Sequence, residues 1–331
     1  MNVLVTGGAG FIGQQVIASM LADGVMVVDD SGRASSIAKI VSFDVAAGEL
    51  RHPKLEYRTG DIADSSTVRT LVDSDTRLIV HLAAVVSGTA EADFDLGMRV
   101  NLDGARNLLE AIRSQGQQPR LLFSSSIAVF GGTLPERVTD ATTPTPQGSY
   151  GIQKYIGEQL VQDFTRKGFI DGRAVRIPTV VVRPGKPNGA ASGFASNIIR
   201  EPLAGLPVTL PVVPSTRMWI ASPRAVVRML KHAISLPSSA WGWHRAINLP
   251  GFVASMDEEI ATLRKFAGDE AVRLIEPKPD DKVNQLVKTW AANFDTSRAN
   301  SMGFVADQNF DEVVRGYIED NRSAVKIAVK L

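Results

Sequence analysis

Residues 6–13, Thr-Gly-Gly-Ala-Gly-Phe-Ile-Gly, join a β-branched run at Val3–Thr6 to an apolar-periodic stretch near Phe11–Ala22. A strand that enters a glycine turn and leaves it as a helix opens a βαβ unit. That commits a chain to a parallel sheet with helices on its faces. The first half keeps this rhythm. Strands are expected at Val25–Asp29, Leu55–Thr59, Leu78–His81, Leu121–Ser124 and Ala174–Ile177, with helices near Ser65–Val72, Glu91–Ser114 and Ser149–Lys167. The run His81–Val86 reads as a buried parallel strand and its exit.

The glycine turn also indicates a ligand. Gly7, Gly10 and Gly13 allow backbone N–H groups to approach a pyrophosphate, and Phe11 and Ile12 start the helix whose positive end would face it. About 20 residues on, Asp29 closes the expected second strand, where a carboxylate holds an adenosine ribose and repels a 2′-phosphate. That favours NAD over NADP, with Arg33 as the residue arguing the other way. Asp61 and Ile62 follow the third expected strand, within reach of an adenine, although Asp61 also fits an ordinary helix cap. His81 has no second ligand at metal-binding spacing and reads as a core histidine, so no metal is expected.

A second constellation lies downstream. Tyr150 and Lys154, spaced i, i+4, share a face near the start of a helix, and Ser126 closes the Phe123–Ser126 strand end. A phenol titrates near ~10, and an adjacent ammonium favours its phenolate. Lys154 can thus hold Tyr150 acidic and bind a nicotinamide ribose, while Ser126 donates to a substrate oxygen and Tyr150 exchanges its proton. Alone, a Tyr-x-x-x-Lys pair is a surface pair; behind the glycine turn and the serine strand it reads as catalytic. Ile152, Ile156, Leu160 and Phe164 recur every four residues, predicting one buried stripe, and Gly168 is the expected stop.

After Pro178 the rhythm breaks. Pro202, Pro207, Pro211 and Pro214 punctuate an irregular stretch before helical segments near Pro223–Ser235 and Met256–Ala267. The expected organisation is a dinucleotide-binding domain over residues 1–178, joined by crossing segments from about 215–248, and a mainly substrate-binding part over 179–331. Lys+Arg 36 against Asp+Glu 35 leaves a net charge of +1 without a basic block, which argues against nucleic acid. The absence of cysteine excludes a thiol nucleophile and fits a reducing, cytoplasmic setting. No apolar run reaches membrane-spanning length.

These motifs, in this order, resemble the extended branch of the short-chain dehydrogenase/reductase superfamily, the NAD-dependent epimerases and dehydratases. Thr6–Gly13, Gly60-Asp61-Ile62, His81-Leu82-Ala83-Ala84, Asn101, the serine strand and Tyr150/Lys154 carry the likeness from residue 2 to about 235. It implies an α/β fold, a Rossmann doubly wound, mainly parallel seven-stranded sheet with a smaller C-terminal α/β substrate domain. It implies Ser126, Tyr150 and Lys154 as the catalytic set and Asn101 as a supporting polar residue, with Ala83 and Pro178 beside the cofactor. Two departures weaken a nucleotide-sugar substrate: Val129-Phe130-Gly131 replaces the usual Val-Tyr-Gly, and no Asn-x-x-Gly turn follows the sixth strand.

The stretches Ala84–Gly88, Ala92–Gly97, Pro178–Asn188, Ala190–Phe194, Arg200–Leu203 and Trp219–Arg224 resemble the D-erythronate dehydrogenases within that family. The likeness implies NAD-dependent oxidation of a small sugar acid at C2. An aldonate needs a cation for its carboxylate, and Arg183 and Arg217 are the candidates. Ser87, Lys186, Asn188 and Ser192 can meet its hydroxyls. Trp219, Trp241 and Trp243 read as core residues before pocket residues. The rival readings are a nucleotide-sugar epimerase or dehydratase that retains its NAD, and a non-catalytic NAD(H)-sensing module. Helices Glu91–Ser114 and Ser149–Lys167 form a dimer bundle in many members of the family, so a homodimer is a further expectation.

Overall fold

The computed structural model describes residues 1–185 and 189–331. Its main sheet has seven parallel strands: β1 (Asn2–Thr6), β2 (Lys39–Asp44), β3 (Leu55–Thr59), β4 (Thr76–His81), β5 (Arg120–Ser126), β6 (Asp171–Ile177) and β7 (Ala246–Asn248), in the order β7-β6-β5-β4-β1-β2-β3. The order reverses direction beside β1, the crevice where such sheets take ligands. The Rossmann-type sheet expected from the sequence is present.

Its second strand is not the expected one. Val25–Val27 pairs antiparallel with Ala34–Ser36 in a separate two-stranded hairpin, and Lys39–Asp44 takes the place beside β1. Packing explains the exchange. Ile40, Val41 and Phe43 fill a strand covered on both faces, whereas Val25 is exposed. The hairpin is therefore an insertion between the first helix, α1 (Phe11–Asp23), and the sheet.

The expected helix Glu91–Ser114 is broken. A first piece, Ser87–Ala92, stops at Asp93, whose extended backbone and carboxylate cap the next start by accepting from Leu96 N at 2.9 Å. Phe94–Gly97 then runs through a π-helical turn at Met98–Asp103 into α2 (Gly104–Gln115). The helix α3 (Ser149–Arg166) ends as expected before Gly168, which has φ 76°.

The expected apolar stripe of α3 holds in its second half, where Leu160 and Phe164 pack on the core, and fails in its first. Ile152 and Ile156 are exposed, while Gly151, Gln153, Lys154, Gly157, Glu158 and Val161 are buried. Close approach dictates this: a Cβ on Gly157 would lie 2.4 Å from the Phe123 ring, so the small and polar face meets β5.

Two cores form. Around the main sheet, α1 and α5 (Pro223–Ser235) pack one face, and α2 with α3 packs the other. The second core gathers α4 (Gly193–Leu203), α6 (Met256–Val272), α7 (Phe310–Asp320) and a three-stranded sheet of Thr179–Val180, Arg217–Ala221 and Phe252–Ser255. The C-terminal stretch straps across it: Lys326 N donates to Leu203 O at 2.8 Å and Lys330 N to Phe266 O at 2.7 Å, with Val325, Ile327 and Val329 packed inward. Among the described residues no helix is long and apolar enough to cross a membrane.

Candidate active site

The glycine turn builds a cradle from backbone alone. Gly7 has φ 71°, and a Cβ there would lie 2.6 Å from Ala83 N, so the turn is pressed against the exit of β4. A Cβ on Gly13 would lie 2.2 Å from Gly7 O, which is why the first turn of α1 can sit so close. Gly10 is the N-cap and offers no side chain, leaving the N–H groups of Phe11 and Ile12 at an uncapped positive helix end.

The carboxylate beside this cradle is Asp44, at the C-terminal end of β2, which accepts from Ala9 N at 3.1 Å. Asp29 is corrected. It lies in the hairpin segment and lines a cavity of about 850 Å³ with Asn2, Arg77, Arg120 and Asp171, residues that begin or precede sheet strands. That places Asp29 at the amino end of the sheet, opposite the glycine turn, and Arg33 belongs to the same insertion. The missed signal was the Lys39–Phe43 run ending in an aspartate, overlooked because the usual spacing pointed to residue 29.

Asp61 pairs with Arg99 and accepts from Ala63 N at 2.9 Å, and Ile62 is a core side chain against Gly104. Pro178 is buried after β6. Asn101 spends both amide hydrogens on Val85 O (3.1 Å) and Gln153 Oε1 (2.8 Å), and its oxygen accepts from Val85 N (2.8 Å). It therefore braces the β4 exit against α3, and no donor remains for a cofactor. His81 is a core residue, bonded through Nδ1 to Thr6 Oγ1 at 2.6 Å and held neutral by burial, with a pKa of about 3.

Ser126, Tyr150 and Lys154 converge at the carboxyl end of β5. The Ser126 side chain accepts from Ala128 N at 3.1 Å and lies near enough to the Tyr150 phenol to favour its ionisation, and Lys154 Nζ lies 5.7 Å from the Tyr150 ring centre. The expected acidifying role of Lys154 is corrected. Burial pushes the Tyr150 phenol up to about 12, against which Ser126 and then the Arg183 charge pull. Burial also brings Lys154 down to about 8.

Arg183 follows β6 and faces the phenol. Burial, then the neighbouring Arg200, draw its guanidinium down, and Tyr150 acts in the opposite direction. Its backbone is fixed by Ser196 Oγ at 3.1 Å and by Arg200 Nη1 at 2.9 Å, and its side chain reaches Ser192 Oγ at 3.4 Å. Among the described residues no carboxylate pairs with it. Arg217 begins its strand exposed and paired in register with Ser255. Ser87 Oγ accepts from Ala191 N at 3.3 Å, bringing the Ser87–Ala92 helix against the start of α4. Asn188 and Lys186 lie outside the described residues. Trp219 and Trp241 are core side chains, and Trp243 is exposed.

A pyrophosphate cradle, a carboxylate at the neighbouring strand end and a Ser/Tyr/Lys cluster define an NAD-linked enzyme fold of the extended type. A family model for the NAD dependent epimerase/dehydratase family matches residues 3–234, and the chain belongs to that family. Within it, the chain is 49% identical to a D-erythronate dehydrogenase from Cupriavidus necator, over 97% of this chain and 98% of that one. It is 40% identical to a D-erythronate dehydrogenase from Haemophilus influenzae, over 96% and 99%. A solved structure described as a nucleoside-diphosphate-sugar epimerase from Agrobacterium tumefaciens superposes with a TM-score of 0.91 at 41% identity, covering 98% of this chain and 95% of that one.

Proposed function

We propose that this chain oxidises the C2 hydroxyl of a small sugar acid, D-erythronate or a close analogue, to the 2-oxo acid with NAD. The observation that carries the substrate class is Arg183, a guanidinium near Tyr150 that has no carboxylate partner among the described residues and whose backbone is held by Ser196 and Arg200. A planar fork so placed suits a carboxylate bidentately. Two nearly full-length relatives named for D-erythronate support the four-carbon acid.

The residues present fit NAD. Gly7, Gly10, Phe11, Ile12 and Gly13 would hold the pyrophosphate, Asp44 the adenosine ribose and Lys154 the nicotinamide ribose. When bound, NAD supplies the acceptor for the hydride leaving C2. Tyr150 takes the hydroxyl proton, Ser126 donates to the same oxygen, and Arg183 fixes the carboxylate so that C2 faces the phenol. Ser87 and Ser192 face the remaining hydroxyls. In this division residues 1–178, with the returning segments, bind NAD, and 179–331 mainly bind substrate.

One observation favours a second reading, a nucleotide-sugar epimerase: the name of the Agrobacterium structure. Against it, Phe130 is packed between Arg176 and Phe294 in place of a tyrosine, and Arg217 lies exposed. NADH absorbance separates the two. Stoichiometric NADH with D-erythronate and none with nucleotide sugars is expected, while turnover of a nucleotide sugar without net NADH would replace the proposal. Arg183→Met should raise KM for D-erythronate by about 10- to 100-fold, the ~1–3 kcal/mol of a charge-assisted hydrogen-bonded pair. An unchanged KM would release Arg183 from the role.

A further inference from the structure

We propose that Glu158 is a positioning residue for catalysis, acting through Ser125 and Arg176 to set the helix that carries Tyr150 against the strand that carries Ser126. This rests on the proton-transfer reading of Tyr150 and Ser126. Tyr150, Lys154 and Glu158 follow one another at four-residue spacing on α3, so one face presents all three. Glu158 is buried, and its carboxylate is fully engaged. Oε1 accepts from Ser125 Oγ at 2.5 Å and from Arg176 Nε at 2.9 Å, and Oε2 accepts from Arg176 Nη2 at 2.7 Å.

The partners give this arrangement its consequence. Ser125 immediately precedes Ser126 on β5, and Arg176 stands beside Ser125 on β6 in the strand register. One carboxylate therefore joins α3, β5 and β6 directly behind the catalytic serine. Arg176 is itself fixed from the far side by Asn248 Oδ1 at 3.3 Å on β7 and by stacking 4.9 Å from the Phe130 ring centre. The contact of α3 with β5 is otherwise small: Gly157 rests against Phe123, and Lys154 Nζ lies 5.0 Å from the same ring. Such a contact resists separation, while the directional bonds of Glu158 resist sliding and rotation of the helix beside Ser126, in addition to those of Gln153 with Asn101 and of Thr165 with Gly172 N elsewhere on α3. A displacement of about 1 Å between reacting groups can cost on the order of 100-fold in rate.

A buried ion pair that only holds the core together would change stability and leave turnover per folded molecule alone. Two variants avoid leaving Arg176 without a counter-charge. Ser125→Ala removes the strand-to-helix bond and keeps the ion pair; Glu158→Asp keeps the charge and withdraws it by one methylene. With NAD and D-erythronate, both should remain folded and bind NADH within threefold of wild type. Their kcat should fall by about tenfold or more with KM within threefold, since the lost geometry belongs to the chemical step, and Ser125→Thr should recover most of it. Folded variants with kcat within twofold of wild type, or losses confined to stability, overturn the proposal. If wild type forms no NADH from D-erythronate, the substrate reading fails instead. The positioning role is then decided by crystal structures of wild type and Glu158→Asp: a Tyr150–Ser126 pair moved apart in the variant supports it, and an unmoved pair overturns it.

Discussion

At the scale of single residues, the chain contains two aspartates that each suit a ribose by type, and only one that suits it by place. Asp44 ends the strand next to β1 and accepts from the glycine turn at Ala9 N, whereas Asp29 faces a cavity at the other end of the sheet. Asp44→Asn should weaken NAD binding by tenfold or more, about the 1.4 kcal/mol that a tenfold change represents. Asp29→Asn should leave it within twofold. Calorimetric titration with NAD checks both, and a larger effect at Asp29 would reverse the assignment. That Ser126, Tyr150 and Lys154 come together was legible residue by residue because strand end and helical spacing fix their places. The electrostatics were not legible, because burial outweighs the pull of Ser126 and Arg183 and raises Tyr150.

Among the elements, what could be read from sequence depended on whether packing follows hydrophobic pattern. The first helix, β4, β5 and β6 follow it and fall where the alternation put them. The helix α3 follows it only in part: Ile152 and Ile156 point outward because the sheet side there must hold Lys154, Glu158 and two glycines, while Leu160 and Phe164 pack on the core. The inserted hairpin hid the true second strand for a similar reason, since a short exposed pair and a long buried strand both look β-branched. Glu259 on α6 is a further local exception. It is fully buried, neither carboxylate oxygen has a hydrogen-bond partner, and burial, with Glu258 adding, raises its pKa well above the usual range. A carboxyl whose folded pKa is raised contributes stability that is complete below about 4.5, its unfolded value. That contribution is lost as pH rises towards the folded pKa. Relative to Glu259→Gln, the wild type should therefore lose stability between pH 5 and pH 8, by up to about 1.4 kcal/mol per pH unit. Urea melts at the two pH values measure this, and an equal difference at both would show that the folded carboxyl titrates normally.

For the whole molecule, the sheet gathers both chemistries at the carboxyl ends of its strands: the turn after β1, Asp44 after β2, Ser126 after β5 and Arg183 after β6. The second core supplies α4, whose Ser192 end meets the Arg183 side chain, so the proposed substrate site spans the two. In the proposed mechanism Tyr150, at about 12, loses its proton to act as a base, and Lys154, at about 8, keeps its own to hold the nicotinamide ribose. The initial rate of D-erythronate oxidation should thus rise up to tenfold per pH unit below about 8 and level above it, because gained phenolate is then offset by lost ammonium. A profile that is flat or falling between pH 6 and 8 would show that the base is another group. The most direct test follows the hydrogen itself. D-Erythronate carrying deuterium at C2 is turned over with NAD, and the NADH is isolated and weighed by mass spectrometry. One deuterium per NADH is the predicted result, and NADH without the label, or a product that keeps it, would contradict hydride transfer from C2.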